Sequence, residues 1–219
     1  RCRHLADFGA LEEADACLEK GAALLGRAES YYWVRAYSQL RQGHWAQSLE
    51  AAAQRQAPPW EEGVALTASD NPDAALALYQ RVLPDLLDGT PAGASLGYLS
   101  DALEVGLALR GAGRTEEAEA LFAYGLQQAA LREHFAGRFS KRWWEAGLLA
   151  AVGRPSAACD SMRAALDSGY IVDFGALDHL PALKAWRDHP CFPPLRRRLA
   201  GLQAAQLQQA RDAGLLDAS

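Results

Sequence analysis

Three pairs of adjacent glutamates are the clearest candidates for acid and base chemistry in this chain. They are Glu12–Glu13, Glu61–Glu62 and Glu116–Glu117. Paired carboxylates can act as a general acid and a general base. Each pair, however, falls in the first turn of a helix that the flanking sequence predicts, where negative charge meets the positive end of the helix dipole. The spacing therefore favours helix capping over catalysis.

Sulfur and imidazole side chains come close together at two places. His4 follows Cys2 by two positions, and His189 precedes Cys191 by two. A zinc site needs three or four converging ligands, and each place supplies two. The sequence also lacks a Gly-x-Ser-x-Gly nucleophile motif and a glycine-rich phosphate loop after a strand. We therefore expect a protein that is not an enzyme and that holds no metal or other cofactor.

The four cysteines stand at positions 2, 17, 159 and 191 and form no Cys-x-x-Cys pair. Free cysteine packs as a small apolar residue, and this scatter favours reduced, structural cysteines. A disulfide between Cys2 and Cys17 stays open, because a hairpin over the first residues would place their helices side by side.

Composition and charge restrict the class of protein. The 219 residues are 50% hydrophobic, helix formers dominate, and runs of Val, Ile and Thr are missing, which predicts an all-α chain. The longest near-apolar stretch, residues 143–152, is shorter than the roughly 20 residues of a membrane span, so we expect no membrane insertion. A net charge of −5 argues against direct nucleic acid contact, and we interpret Arg196–Arg198 as a solvated helix face.

A recurring pattern of small residues predicts the elements that position these side chains. Five times, a small residue is followed twelve positions later by another, with a turn-forming Gly or Asp five positions before the second. The pairs are Cys2/Ala14, Ala36/Ser48, Gly63/Ala75, Gly106/Ala118 and Ala146/Ala158, and the turn residues are Gly9, Gly43, Asp70, Gly113 and Gly153. Helices pack closely only where crossing side chains are short, so the pattern predicts five stacked helical hairpins.

The predicted helices follow from these turns. They are 1–7 with 10–25, 30–42 with 45–55, 59–68 with 72–86, 97–111 with 115–132, and 138–152 with 155–167. Turn-forming residues at 88–96 predict a hinge, and a final helix over about 194–212 would cap the array. We therefore expect one domain with two parts. Residues 1–168 form a helical repeat array, and residues 169–219 form an irregular region, interrupted by Pro and Gly, that ends in the capping helix.

Two stretches resemble a known family. Residues 9–21 (GALEEADACLEKG) and 113–125 (GRTEEAEALFAYG) carry a turn and a second helix, and 34 residues separate Gly9 from Gly43. They resemble tetratricopeptide repeats, which have this period. The resemblance implies a right-handed α-solenoid of about five hairpins, with an irregular C-terminal region and a capping helix.

A second resemblance lies in the tail. Residues 177–183 (LDHLPAL) and 186–196 (WRDHPCFPPLR) are similar to the end of bacterial repeat regions that follow a winged-helix or cyclase output domain. The resemblance implies a ligand-sensing or protein-interaction module of a larger bacterial regulatory protein. Because the chain starts at Arg1 rather than Met, we expect a fragment or a processed product.

The register of the small residues also predicts which side of each first helix faces a binding groove. The predicted groove residues are Trp33, Tyr37, Arg41, Trp60, Leu103, Arg110 and Trp143. Aromatic rings interspersed with arginine are typical of binding surfaces. Burial of Trp33 or Trp143 between repeats stays open, and Trp144, turned by about 100° from Trp143, should face inward if Trp143 faces outward.

We expect the partner to be a protein or peptide, or a small ligand, bound in this groove. The alternative is a structural scaffold that self-associates through exposed helix faces and has no dedicated groove. Cytoplasm is the expected compartment for a chain with unpaired cysteines, and the periplasmic half of a membrane-integrated regulator is the alternative.

Overall fold

The computed structural model describes residues 2–55, 60–87, 99–131, 138–171 and 178–214, with Leu25, Trp60 and residues 138–141 described by their backbone alone. Within these ranges all regular elements are helical, so the chain is all-α as its composition predicts. The helices are α1 (Cys2–Asp7), α2 (Leu11–Leu25), α3 (Glu29–Arg41), α4 (Trp45–Ala52), α5 (Trp60–Ala68), α6 (Pro72–Val82), α7 (Leu99–Gly111), α8 (Thr115–Leu131), α9 (Arg138–Ala151), α10 (Pro155–Asp167), α11 (Lys184–Arg187) and α12 (Phe192–Asp212), with short 3-10 turns at Pro84–Leu86 and Pro181–Leu183. None of the described helices combines the length and the apolar character that crossing a membrane requires.

The five predicted turn residues all adopt the left-handed backbone conformation. Their φ angles are 77° at Gly9, 75° at Gly43, 60° at Asp70, 80° at Gly113 and 72° at Gly153. In the second hairpin, the Gly43 N–H donates to the Leu40 carbonyl at 3.1 Å, and the His44 N–H donates to the Gln39 carbonyl at 2.9 Å. These bonds satisfy the last carbonyls of α3 and reverse the chain into α4, so the turn prediction is confirmed.

Nine of the ten predicted small residues are buried, and Cys2 is partly exposed. A Cβ atom added at Gly106 would come within 2.3 Å of the Phe122 ring, and one at Gly63 would come within 2.4 Å of the Tyr79 hydroxyl. Ala118 is fully buried at the same crossing as Gly106. The repeated spacing therefore reports close contact between the two helices of a hairpin.

Two helix ends differ from the predicted bounds by three residues or more. α6 ends at Val82 rather than at residue 86, because Pro84 cannot continue the helix and starts a 3-10 turn. α4 ends at Ala52 rather than at residue 55. The predicted hinge, residues 88–96, lies outside the described residues.

The tail packs into the same core as the hairpins. The Trp186 ring lies 6.0 Å from the Trp143 ring and 4.9 Å from the Phe192 ring, centroid to centroid. Leu180 and Leu183 are buried in the same cluster. Residues of α11 and of the start of α12 therefore share a core with α9.

The last helix, α12, also reaches the first hairpin. Its Gln203 side-chain amide donates to the backbone carbonyl of Asp7 at 3.2 Å and to that of Ile171 at 3.1 Å. Further along α12, Leu207 and Ala210 pack against the core of the first hairpin. Because of these contacts, the last helix joins the two ends of the chain in space instead of only covering the last hairpin.

All four cysteines are paired, so the expectation of reduced cysteines is wrong. Cys2 and Cys17 form a disulfide across the first hairpin, with Cα atoms 5.5 Å apart. This is the pair that the predicted hairpin left open. Cys159 and Cys191 form a second disulfide, with Cα atoms 6.2 Å apart, between α10 and the residue before α12. Only the return of the tail onto α10 brings these two together.

Candidate ligand-binding site

A cavity of about 660 Å³ lies where the tail meets the first two hairpins. It is lined by Gly9, Leu11, Arg41, Phe192, Pro193, Arg196, Arg197, Ala200 and Gln203. Among these described lining residues, three carry a guanidinium group and none carries a carboxylate. The volume falls in the range of small-molecule sites. Charge and size together fit the anionic part of a small ligand.

Arg41, the last residue of α3, is the deepest of the three arginines, with 5% of its surface exposed. Its Nη1 donates to the Tyr37 hydroxyl at 2.9 Å, and that hydroxyl donates to Asp7 Oδ1 at 2.8 Å. Tyr37 precedes Arg41 by four positions, so both lie on one face of α3. Arg41 Nε is buried and has no hydrogen-bond partner in the part of the chain that the structure describes. A buried donor without a partner is unfavourable, so the end of α3 carries an unsatisfied hydrogen-bond donor next to the cavity.

Arg196 is held by a carboxylate from the tail. Its Nε forms an ion pair with Asp178, whose side chain is 11% exposed. Burial raises the pKa of Asp178 from 3.8 to about 6, and the positive charges of Arg196, Arg41 and Arg187 oppose that shift. Proton uptake near pH 6 therefore removes the negative charge that offsets Arg196.

His179, next to Asp178 in the tail, packs against the turn that follows α3. Its ring lies against Gly43, where an added Cβ would come within 3.1 Å of Nδ1, and it meets the Trp45 ring edge-on at 6.1 Å. Burial lowers the pKa of His179, and a hydrogen bond with the Arg41 backbone opposes that shift. The imidazole is therefore mainly neutral at pH 7 and positions its neighbour Asp178 without adding charge to the cavity.

Arg197 and Arg198 of the basic run are exposed, as the interpretation from sequence has it, and Arg196 is partly exposed. Arg196 and Arg197 line the cavity, whereas Arg198 forms an ion pair with Asp167 at 2.6 Å on another side of the helix. Arg197 is exposed and has no ion pair with any described residue. Successive residues turn by about 100° on a helix, so neighbouring arginines reach different surroundings.

A second, smaller space of about 470 Å³ lies between the first two hairpins. It is lined by Cys2, Arg3, His4, Cys17, Leu18, Gly21, Ala22, Gly26, Ala28, Ser30, Tyr31, Trp33 and Val34. We refer to it as the aromatic cleft. The Arg3 guanidinium lies 4.6 Å from the centroid of the Trp33 ring, so a cation already covers this aromatic face.

The predicted groove residues do not form one continuous surface. Trp33 lies in the aromatic cleft, whereas Arg41 lines the cavity and Tyr37 is buried beside it. Leu103 and Trp143 are fully buried, which removes them from any ligand-accessible surface. α7 packs against both α8 and α9, and the tail covers Trp143 through Trp186.

Of the remaining predicted groove residues, Arg110 makes contacts within the fold, and the side chain of Trp60 lies outside the described residues. Arg110 is partly buried, and its Nη1 donates to the Ala151 carbonyl at 2.6 Å while its guanidinium covers the Phe122 ring. Trp144, next to the buried Trp143, is partly buried. Trp60 begins α5, and its side chain lies outside the described residues.

The acidic pairs that opened the question of catalysis lie at helix starts, as predicted. All three occupy the first turns of α2, α5 and α8. Glu61 forms a buried ion pair with Arg55, whose side chain is 7% exposed.

The tail also completes one group of metal-ligand type. One ligand atom each from Cys159, His189 and Cys191 lies within 4.8 Å of the others, where the sequence showed two residues close together. The two sulfurs are joined as a disulfide, so neither is a thiolate that could bind a metal.

No family model, curated protein or solved structure matches this chain. The tetratricopeptide and regulator resemblances therefore stay predictions from short motifs.

Proposed function

We propose that this chain is a non-enzymatic binding module whose arginine-lined cavity takes the anionic group of a small ligand, either a carboxylate or a phosphate. The observation that carries the proposal is Arg41, a buried guanidinium at the cavity with an unpartnered Nε. An anionic acceptor that reaches this group would supply the missing hydrogen bond, in addition to the partial charge balance that Asp7 provides at 3.8 Å. Guanidinium groups bind carboxylate and phosphate with two parallel hydrogen bonds, which suits this role.

The other lining residues favour a ligand with an apolar part beside its charge. Leu11, Phe192 and Pro193 provide apolar walls next to Arg196 and Arg197. Arg197 is exposed and can meet the ligand as it enters. The cavity therefore suits a small organic acid or phosphate ester better than a bare ion.

The frame of this site is, in our proposal, a right-handed tetratricopeptide-like array in which the tail occupies part of the groove. Support comes from the five left-handed turns and the buried small residues at the crossings. Within a larger regulatory protein, occupancy of the cavity would change how firmly α12 joins the first hairpin, because α12 supplies six of the nine residues that line the cavity.

Two disulfides favour the periplasmic alternative over the cytoplasm. Disulfides persist in oxidising compartments and are rare where thiols are kept reduced. Cys2–Cys17 and Cys159–Cys191 together use every cysteine of the chain. We therefore place the proposed sensing function in an oxidising compartment.

The alternative of a self-associating scaffold has one observation in its favour. Leu24, Val82 and Leu131 are the large apolar side chains that stand exposed among the described residues, at 75%, 41% and 67%. Analytical ultracentrifugation of the wild type and of a Leu24→Gln, Leu131→Gln variant separates the two functions. A wild-type dimer that the variant loses would support the scaffold, and a monomer throughout would favour the binding module.

The binding proposal is tested by titrating the chain with citrate, succinate, inorganic phosphate and a phosphate monoester, using calorimetry or NMR shifts. Arg197→Gln and Arg198→Gln make the same charge change on adjacent residues, inside and outside the cavity. We expect Arg197→Gln to weaken binding about tenfold and Arg198→Gln to change it less than about twofold. Equal losses in both variants would indicate general charge attraction, and saturable binding of none of the probes would overturn the proposal.

A further inference from the structure

We propose that Cys159–Cys191 is a dithiol–disulfide exchange site, in which Cys191 Sγ reacts with an external low-molecular-weight thiol of the glutathione class and His189 assists. The group lies where the tail returns onto α10, beside the start of α12. The inference does not depend on the ligand-binding proposal.

The two sulfurs differ in access. Cys159 is 1% exposed and sits in the core of α10, whereas Cys191 is partly exposed on the loop before α12. Exchange proceeds by attack of a thiolate along the S–S axis, so the reachable sulfur takes the new bond. This difference assigns Cys191 to the mixed disulfide and Cys159 to the departing thiol.

His189 is placed to assist at that sulfur. Its Nδ1 lies 2.8 Å from Cys191 Sγ, and the Cys191 backbone N–H lies 3.4 Å from the same nitrogen. One ligand atom of His189 lies within 4.8 Å of both sulfurs, so the imidazole stands beside Cys159, which leaves in the first exchange, and beside Cys191, which leaves in the second. A neighbouring imidazole can stabilise a departing thiolate, and a better leaving group speeds exchange. The sequence His189–Pro190–Cys191 fixes this spacing through a short turn.

The other disulfide provides an internal comparison. Cys2 and Cys17 are both partly exposed, and the nearby His4 is turned toward Asp7, with its Nδ1 3.7 Å from the carboxylate. Access is therefore available at both disulfides. An imidazole at hydrogen-bond distance from sulfur is recorded only for Cys191 among the described residues.

The bonds and electrons balance in two exchanges. A thiolate RS⁻ attacks Cys191 Sγ, an RS–SCys191 bond forms, the Cys159–Cys191 bond breaks, and Cys159 leaves with the electron pair and takes up a proton. A second RS⁻ attacks the sulfur of the bound thiol, releases RS–SR and leaves Cys191 as a thiolate beside His189. Two thiols are oxidised to one disulfide, and the protein disulfide is reduced to a dithiol.

The first test follows both disulfides of the wild-type chain in one reaction. The protein is incubated with reduced glutathione at pH 7, quenched with acid, alkylated, and mapped by peptide mass spectrometry over time. We expect Cys159–Cys191 to open at least about tenfold faster than Cys2–Cys17, with glutathione found on Cys191. Equal rates, faster opening of Cys2–Cys17, or glutathione on Cys159 would each overturn the proposal.

The second test isolates the imidazole. His189→Gln removes the ring at Cys191, and His4→Gln is the matched change beside the other disulfide. We expect His189→Gln to slow opening of Cys159–Cys191 about tenfold, and His4→Gln to leave both rates within about twofold. An unchanged rate in His189→Gln, with circular dichroism showing a folded chain, would contradict the role of His189.

A third measurement stays informative if a variant is less stable. In Cys159→Ser and Cys191→Ser, the single remaining thiol is exposed to oxidised glutathione under conditions where circular dichroism shows native helix content. Cys191 should form the mixed disulfide faster than Cys159. Faster reaction of Cys159 would show that Cys191 is not the reactive sulfur and would overturn the proposal.

Discussion

The repeated hairpins and the returning tail build two different kinds of recess on the same helix. Near its start, α3 contributes Tyr31 and Trp33 to the aromatic cleft, which neighbouring hairpins enclose. At its end, α3 contributes Arg41 to the cavity, which exists only because α12 comes back from the far end of the chain. Stacking of neighbouring hairpins thus forms an apolar, aromatic recess, whereas the packing of α12 against the first hairpins brings three arginines together.

The comparison teaches where a binding function can be built into a helical array. A face between neighbouring hairpins must bury apolar surface for stability, so its aromatic residues tend to be used as packing. A face that the tail covers late in the chain can hold a buried arginine, Arg41, and a partly exposed one, Arg196, with the carboxylates of Asp7 and Asp178 as their partners. The four predictions below test this division, beginning with the largest effect.

Replacing Arg41 by Leu should destabilise the protein by about 3 kcal/mol, because Asp7 would lose a cationic neighbour while remaining buried. Arg41 Nη1 lies 3.8 Å from Asp7 Oδ1, and both side chains are less than one tenth exposed. Urea unfolding measures the change. Trp33→Ala, in the aromatic cleft, should destabilise less and leave anion binding within about twofold of wild type. A larger loss at Trp33 than at Arg41 would reverse the comparison.

Asp178 should make stability fall as pH rises. Because its pKa is raised to about 6 in the folded protein, folding takes up a proton between about pH 4 and 6. The stabilisation is complete below the ordinary pKa of 3.8 and is lost as pH rises through about 6, a change of about 2–3 kcal/mol.

Asp178→Asn isolates this effect, because the lowered pKa of His179 acts in the opposite direction over part of the same range. The difference in unfolding free energy between wild type and variant is measured by urea unfolding at pH 4.5 and pH 7. A difference that does not vary with pH would show that Asp178 titrates normally. Anion binding by the wild type should strengthen below pH 6, since the protonated carboxyl no longer offsets Arg196.

Replacing Ala118 by Leu should destabilise by about 2 kcal/mol through overpacking where α7 and α8 cross. Ala118 is fully buried, and Ala120 on the same helix is exposed. Ala120→Leu is therefore the matched control and should be nearly neutral. Thermal unfolding of both variants measures the difference, and equal effects would mean that the small-residue register does not mark the crossing.

Replacing Arg211 by Gln should have the smallest effect, below about 0.5 kcal/mol, because its ion pair with Glu13 is about half exposed on both sides. Gln203 lies eight residues before Arg211 on α12. Gln203→Leu should destabilise by about 2 kcal/mol, because the buried carbonyls of Asp7 and Ile171 lose their hydrogen-bond donor. Urea unfolding compares the two. Similar losses would indicate that surface charge, rather than buried hydrogen bonding, joins α12 to the first hairpin.

The sequence predicts the local architecture well because its signals are local. Gly113 needs a left-handed backbone, and Gly106 must leave room for Phe122, so the spacing between turn and crossing is visible in the letters. Helix ends are similarly local, although Pro84 stopped α6 earlier than the apolar pattern predicted. These features require neighbours within one hairpin.

The candidate site is poorly visible from sequence because its partners are far apart. Arg41 was predicted as a groove residue for its position on α3, but Arg196 and Arg197 looked like a solvated run until α12 was placed. Trp143 and Trp33 were both predicted as groove residues because they are aromatic residues at equivalent positions. Trp143 belongs to the core because Trp186 of the tail packs against it. Cys159 and Cys191 likewise gave no pairing signal across 32 positions.

The single side chain of Gln203 has a consequence for the order of folding. It binds the carbonyl of Asp7, a residue 196 positions earlier, so the inner side of the first hairpin stays incomplete until the end of the chain is available. Contacts of such separation form late, because a long loop must close first. During synthesis the Cys2–Cys17 bond, only 15 residues apart, can hold the first hairpin together before its distant partner arrives. The first hairpin therefore has an early local cross-link and a late long-range contact, and truncation near residue 200 should leave the earlier helices formed without the contact between α12 and the first hairpin.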